Sequence, residues 1–369
     1  MFQWIYRGRI LTPDYMFNEI SKKRKSKLPG NYFCLTLMKP SLFLKRLRET
    51  KFMLPPLTGY TDYPYRKILA DFSPPFLTTE MINARALLHK NPRTIQMIKR
   101  VPGQHVQGVQ VLGKDPESMA KAAKMVQDLG FDYVDINMGC TIAKITTRGE
   151  GVSLMSDEKS ACAVVSAVVK AVNLPVTVKL RIGISKKSIN VLSLSKKLVD
   201  NGADALTVHG RTGEKKFSSD IDLSVISDVV RYVSAPIIAN GGIFSGNDAK
   251  FVLCKTGAAA VMPGRKLIGN PWLINEIRCA VSGGSFLPPT LIEKKRICIK
   301  HTQEICDHYG ERRGIIHMRK ILPKYFSSTL FIKELKHDVQ HMKDKNDISM
   351  ILGRIIERDS LWCYLRNNY

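Results

Sequence analysis

The run Asp135-Ile136-Asn137-Met138-Gly139-Cys140 ends an apolar, β-favouring stretch on an amide and a thiol. A thiol at such a place is either a small buried side chain in a turn, or an acid or nucleophile held at the mouth of a pocket. An unperturbed thiol is mostly protonated at neutral pH and can donate a proton. Other reactive types recur at the ends of similar runs: Gln110 in VQVLG, Lys179 and Arg181 in VKLRIG, His209 in TVHGR, Asn240-Gly241-Gly242 and Gly264-Arg265. A cation and an amide brought to one rim, Lys179 and Gln110, suit the polar edge of a flavin, where positive charge near N1 stabilises the reduced ring. A strand-borne lysine can equally form a Schiff base, and the residues alone leave both open. Taken singly, His209 fits a hydrogen-bonded core residue and Lys179 a rim salt bridge. The glycines at 241, 242 and 264 let backbone N–H groups approach phosphate oxygens, with Arg265 adding charge. The same glycines would serve an ordinary turn, but their place after two consecutive strands points to a phosphate monoester.

Those positions need elements that bring them to one rim. From residue 50 short apolar runs alternate with amphipathic segments. The expected strands are FMLPPL (52–57), PFLTTE (75–80), VQGVQVLG (106–113), YVDINMG (133–139), PVTVKLRIG (175–183), DALTVHG (204–210), PIIANGG (236–242) and AAAVMPGR (258–265). Between them, DPESMAKAAKMVQDLG places Met119, Ala122, Ala123 and Val126 on one helical face, and Gly130 stops the helix. Alternating β and α units give a parallel sheet. Eight of them predict an α/β fold, a (β/α)8 TIM barrel, whose chemistry sits at the carboxyl ends of its strands. No G-x-G-x-x-G follows the first run, which argues against an open dinucleotide-binding sheet. A Gly/Pro/Ser-rich linker, SGGSFLPPT (282–290), then leads into long helical patterns with no further strand signal. The expected organisation is a basic, disordered extension over 1–37, a barrel over 38–283 and a small all-helical C-terminal domain over 290–369. Met38 is a possible alternative start.

Charge and cysteine usage narrow the class. Fifty-seven basic against thirty-two acidic residues give +25, a field that draws polyanions, nucleic acid first. The stretch 290–369 carries sixteen Lys/Arg against ten Asp/Glu. Eight scattered cysteines form no C-x-x-C and no zinc-site spacing, so no metal is expected, and they suit a reducing cytoplasm. No run is long enough for a membrane helix, the N-terminus lacks a signal-peptide pattern, and nothing calls for an obligate protein partner.

Taken together, LPPLTGYTDYPYR, DINMGC, VHGRTGEKKF, PIIANGGI and GRKLIGNPW, in this order over about 52–278, resemble the tRNA-dihydrouridine synthases, most closely their bacterial B-type subfamily. The resemblance implies an FMN-dependent barrel with a helical tRNA-binding domain, using NADPH or NADH to reduce the C5=C6 bond of uridine in tRNA. By that resemblance Pro56, Leu57 and Thr58 touch the flavin ring, and Gln110 and Lys179 bind its polar edge. His209 lies near ring or phosphate, and Asn240, Gly241, Gly242, Gly264 and Arg265 hold the phosphate. Cys140 is the proton donor and Asn137 positions the uracil. Arg181 is a further substrate contact, and Lys144 and Arg148 on the following loop grip the flanking phosphates. Three positions depart from the family pattern: Thr141 where proline is usual, Leu57 for methionine, and Gly242 for an acid. The competing expectations are an FMN-dependent dihydropyrimidine or dihydroorotate dehydrogenase acting on a free base, and an inactive RNA-binding barrel.

Overall fold

The computed structural model describes residues 37–103, 105–214 and 221–368, with side chains as far as Asp359, and the backbone of a short antiparallel ribbon, Trp4–Tyr6 against Arg9–Leu11. Apart from that ribbon and Leu37, the expectation for the N-terminal extension lies outside the described residues. The chain then enters helix α1 (Pro40–Thr50). Seven parallel strands follow in sequential order: β1 (Leu77–Asn83), β2 (Gln107–Leu112), β3 (Tyr133–Met138), β4 (Val176–Arg181), β5 (Ala205–His209), β6 (Ile237–Asn240) and β7 (Ala260–Met262). Outside them run α2 (Tyr63–Ala70), α3 (Pro116–Asp128), α4 (Glu158–Ala171), α5 (Val191–Asp200), α6 (Leu223–Tyr232), α7 (Gly246–Thr256) and α8 (Leu273–Ser282). Spacing and caps explain the helices well. In α3, Asp115 accepts from the backbone N–H of Ser118 at 2.9 Å, and Met119, Ala122, Ala123 and Val126 are all buried.

The first expected strand is a correction. FMLPPL forms no strand; Phe52 makes a single parallel bridge to Val261, flanked by Met53 N–H to Val261 O at 3.0 Å and Val261 N–H to Lys51 O at 2.9 Å. On its other side Thr78 Oγ1 donates to Leu54 O at 3.1 Å. The segment fills the eighth position of the barrel, and Pro55-Pro56 ends it, because proline has no N–H to give a ladder.

The barrel interior is layered. At its amino end Tyr133, Phe76, Met53, Ala205, Ile238 and Ala260 pack with Phe43 and Leu47 of α1, which plugs that opening. Phe43 lies 4.9 Å from Phe76 and 5.3 Å from Tyr133, ring to ring. Gly108 is required here: a Cβ on it would sit 2.2 Å from the Tyr133 ring. Only the carboxyl end remains open. After Thr290, whose hydroxyl forms a capping box with Glu293, come α9 (Leu291–Tyr309), α10 (Glu311–Tyr325), α11 (Ile332–Asp338) and α12 (Lys345–Asn368). This helical part docks on α2. Tyr65 stacks on His301 at 4.8 Å, Lys67 pairs with Glu304 at 2.5 Å, and Tyr309 donates to Asp62 at 3.1 Å.

Candidate active site

Alternation along the strands turns every second side chain inward. Register then sets three polar rows. Gln110 lies opposite Asp135, and Asp135 opposite Thr177. One step up, Asn137 faces Lys179. At the rim Arg181 faces His209, and His209 faces Asn240.

The lowest row is a closed hydrogen-bond chain. Thr177 Oγ1 and Gln110 Nε2 both donate to the buried Asp135 carboxylate, each at 2.6 Å. Gln110 Oε1 accepts from Asn137 Nδ2 at 2.7 Å. Asn137 Oδ1 then accepts from the backbone N–H groups of Gly139 at 3.2 Å and Cys140 at 2.6 Å. The amide expected to touch substrate is therefore also what turns the chain after β3 and sets the thiol. Arg181 supports the same turn: its Nε donates to Gly139 O and its guanidinium to Thr212 O, each at 2.8 Å. Gly151, at φ +63°, completes the packing, since a Cβ there would come within 2.6 Å of Cys140 O. Burial raises the Cys140 thiol above its ordinary range, against the lowering effects of the Ile142 N–H and the Arg181 charge, so it is held protonated.

Lys179 donates to Asn240 Oδ1 at 2.8 Å, while Asn240 Nδ2 donates to Met262 O at 2.8 Å. Asn240, expected at a phosphate, uses its side chain to orient Lys179. Burial and the neighbouring Arg181 bring the ammonium down to about 8, with Asp135 opposing the shift. Burial raises Asp135 in turn to about 6. His209 is brought down to about 2, first by burial and then by Lys179, Arg181, Arg211 and Arg265, so its ring is neutral. Four cations converge on that histidine, and Asp135 is the carboxylate that opposes the charge of Lys179. A mouth of this kind favours an anion. Gly241 and Gly242 adopt φ +116° and +70°, and a Cβ on Gly264 would meet nothing within 4 Å. Open space, left-handed glycines and converging cations fit a phosphate, which Gly241, Gly242, Gly264 and Arg265 would hold.

The remaining expected residues lie around this mouth. Pro56 and Leu57 are half-buried and Thr58 is exposed on the loop after the bridge segment. Lys144, on the short helix Ala143–Thr146, and Arg148 are exposed on the loop beyond Cys140. Two residues went unassigned from sequence. Asp135 is two positions before Asn137, so strand alternation alone places it on the same inner face. Glu80 accepts from the Gly59 N–H, and Lys320 of α10 donates to Gly59 O at 3.0 Å. Burial raises Glu80 to about 7. The loop carrying Leu57 and Thr58 is thereby gripped between barrel and helical part, a contact between distant segments that no local pattern announces.

Comparison with known proteins gives the family of the chain. The dihydrouridine synthase family model matches residues 53–357. A probable tRNA-dihydrouridine synthase of Rickettsia prowazekii is 35% identical over 294 residues, covering 79% of this chain and 90% of the relative. The tRNA-dihydrouridine synthase B of Proteus vulgaris is also 35% identical over 294 residues, 79% of this chain and 89% of that protein. That of Salmonella typhimurium is 34% identical over 271 residues, 73% and 84% of the two chains. The chain belongs to the dihydrouridine synthase family.

Proposed function

We propose that this protein reduces the C5=C6 bond of uridine in tRNA to 5,6-dihydrouridine, with FMN as cofactor and NADPH or NADH as the source of electrons. The observation that carries the reading is the placement of a thiol, Cys140, at the mouth that also holds Lys179, through the side chain of Asn137. Lys179 and the unused hydrogen-bonding capacity of Gln110 would bind the polar edge of the flavin. Pro56, Leu57 and Thr58 would line its ring, with neutral His209 beside it. Gly241, Gly242, Gly264 and Arg265 would hold its phosphate. When bound, FMN supplies a hydride to C6 of the uracil.

The chain's own residues do the rest. Asn137 keeps the Cys140 backbone fixed, so that Sγ can give its proton to C5. The thiolate left behind is stabilised by the Arg181 charge and regains a proton from solvent. Gln110 and Asp135 hold Asn137 from below. The +25 charge and the basic helical part suit a folded RNA recognised by shape and backbone. A uridine in folded RNA must leave its stack to reach a barrel mouth, at a cost of a few kcal/mol. Lys144, Arg148 and the helical part would offset that cost by contacts to flanking phosphates. Among the described residues no helix is long and apolar enough to cross a membrane, and an enzyme acting on tRNA would work in the cytoplasm.

The test uses the purified full-length protein, NADPH, and tRNA from cells lacking the gene, with dihydrouridine mapped by mass spectrometry. Dihydrouridine should appear at defined positions. Cys140→Ser should lower the rate by about 10²- to 10⁴-fold, the usual weight of a general acid, and leave the protein yellow. Reduction of free uracil as fast as tRNA, or a Cys140→Ser enzyme of full activity, would overturn the reading.

A further inference from the structure

Beside the barrel mouth lies a cavity of about 470 Å3, bounded by the ends of β1 and β2 and by the loop beyond Cys140. Each of these three segments sends one cation to it: Arg85, Lys114 and Arg148. All three are exposed, and none makes a side-chain hydrogen bond or salt bridge among the described residues. Most other surface lysines along the barrel helices are paired: Lys121 with Glu117, Lys124 with Asp128, Lys196 with Asp200 and Lys197 with Glu158. Two carboxylates also line the cavity, Asp115 and Glu150. Asp115 is turned to its own helix, accepting from Ser118 N–H at 2.9 Å and from the Ser118 hydroxyl at 2.5 Å. Arg85 also acts on Asp115 through its charge, so three cations from separate segments outnumber the two carboxylates around a space large enough for a sugar-phosphate.

The cavity is joined to the thiol by packing. Glu150 lines it, and the next residue, Gly151, lies against Cys140, with Val152 N–H donating to Cys140 O at 2.9 Å. Its other wall begins two residues beyond Gln110, at Leu112. Whatever occupies it sits next to the catalytic loop and outside the site described for the flavin phosphate.

We infer that this cavity is a second phosphate-binding site, built by Arg85, Lys114 and Arg148. It takes either an RNA backbone phosphate next to the target uridine or a phosphate of the nicotinamide reductant. Sequence pattern pointed to Arg148 alone; Arg85 and Lys114 join it only in the fold. The inference rests on the function proposed above.

The test compares full-length wild type with Arg85→Gln, Lys114→Gln and the double variant. Lys255→Gln, on the exposed end of α7 at the opposite face of the barrel, controls for net charge. Two measurements are made: the salt dependence of binding to an unmodified tRNA transcript, and the anaerobic bleaching of the flavin by NADPH and by NADH. If RNA supplies the phosphate, tRNA binding weakens and the slope of log K against log salt falls by about one per residue removed, with bleaching unchanged. If the reductant supplies it, the concentration of NADPH needed for half-maximal bleaching rises about tenfold. NADH bleaching and the salt slope then stay as they were. Either pattern supports the site. Cavity variants that match wild type in both measurements, or that match Lys255→Gln, overturn it. A wild-type protein that neither binds tRNA nor is bleached by either nucleotide would instead sink the proposed function.

Discussion

Asp135 offers the sharpest test of how the polar interior is built. It is fully buried, accepts from Thr177 and Gln110, and lies near Lys179. Burial dominates and raises its carboxyl from the ordinary 3.8 to about 6. Between those values the folded protein holds a proton that the unfolded chain has released. Stability must therefore fall as pH rises from about 4 to about 6 and stay lower above that. The span corresponds to about 3 kcal/mol at 1.36 kcal/mol per pH unit. Asp135→Asn keeps the shape, accepts from Gln110 through Oδ1 and donates to a Thr177 hydroxyl that can rotate to receive it. Urea unfolding followed by tryptophan fluorescence, run for both proteins from pH 4 to 7.5, gives the difference directly and cancels the other titrating groups. The two should be nearly equal at pH 4. By pH 7 the variant should be the more stable by about 3 kcal/mol. It should also be the poorer enzyme near pH 8, because Lys179 loses a carboxylate that holds its proton. A stability difference that does not change with pH would refute the account of a charged carboxylate buried at a cost beneath the active site.

Phe43→Ala, in the plug of the closed end, should cost about 3–5 kcal/mol of unfolding free energy; a loss below 1 kcal/mol would mean α1 does not seal the barrel. Gly241→Ala puts a Cβ 2.6 Å from Ile221 Cδ1 at a φ of +116°, with about 1–3 kcal/mol of strain. FMN affinity measured by fluorescence titration should weaken at that loop, and unchanged affinity would remove the loop from the cofactor site. Lys320→Met removes a single bond to Gly59 O and a cation 4.9 Å from the Tyr60 ring. It should cost about 1 kcal/mol; urea midpoints showing more than about 3 kcal/mol would assign that lysine a wider role.

What could be read from the sequence was what local periodicity encodes. The β/α rhythm, the α3 face and the Gly130 stop each depend on residues a few positions apart, and each appears as expected. The bridge at 52–54 failed for a local reason as well: FMLPPL has the apolar content of a strand, but Pro55-Pro56 leaves it only three residues in which to pair. The gathering of polar side chains at one rim was legible because strand ends in a parallel barrel all point the same way.

Side-chain roles were less legible than side-chain positions, and Asn137 shows why. Sequence order says that an amide precedes a thiol by three residues; it does not say which of them the pocket uses and which one it needs for support. Oδ1 of Asn137 already accepts from two backbone N–H groups and its Nδ2 donates to Gln110 Oε1. Asn240 is similarly committed, to Lys179 and to Met262 O. In both places an amide expected at a ligand is occupied in aiming a neighbouring side chain or its backbone, a thiol in one case and an ammonium in the other. These bonds join residues up to 61 positions apart, so they follow from strand register and not from any motif. The same closure holds two of the four cations around His209, Lys179 on Asn240 Oδ1 and Arg181 on Gly139 O and Thr212 O. Replacing an amide in this layer should therefore misplace Cys140 or Lys179 and lower kcat more than it weakens substrate binding.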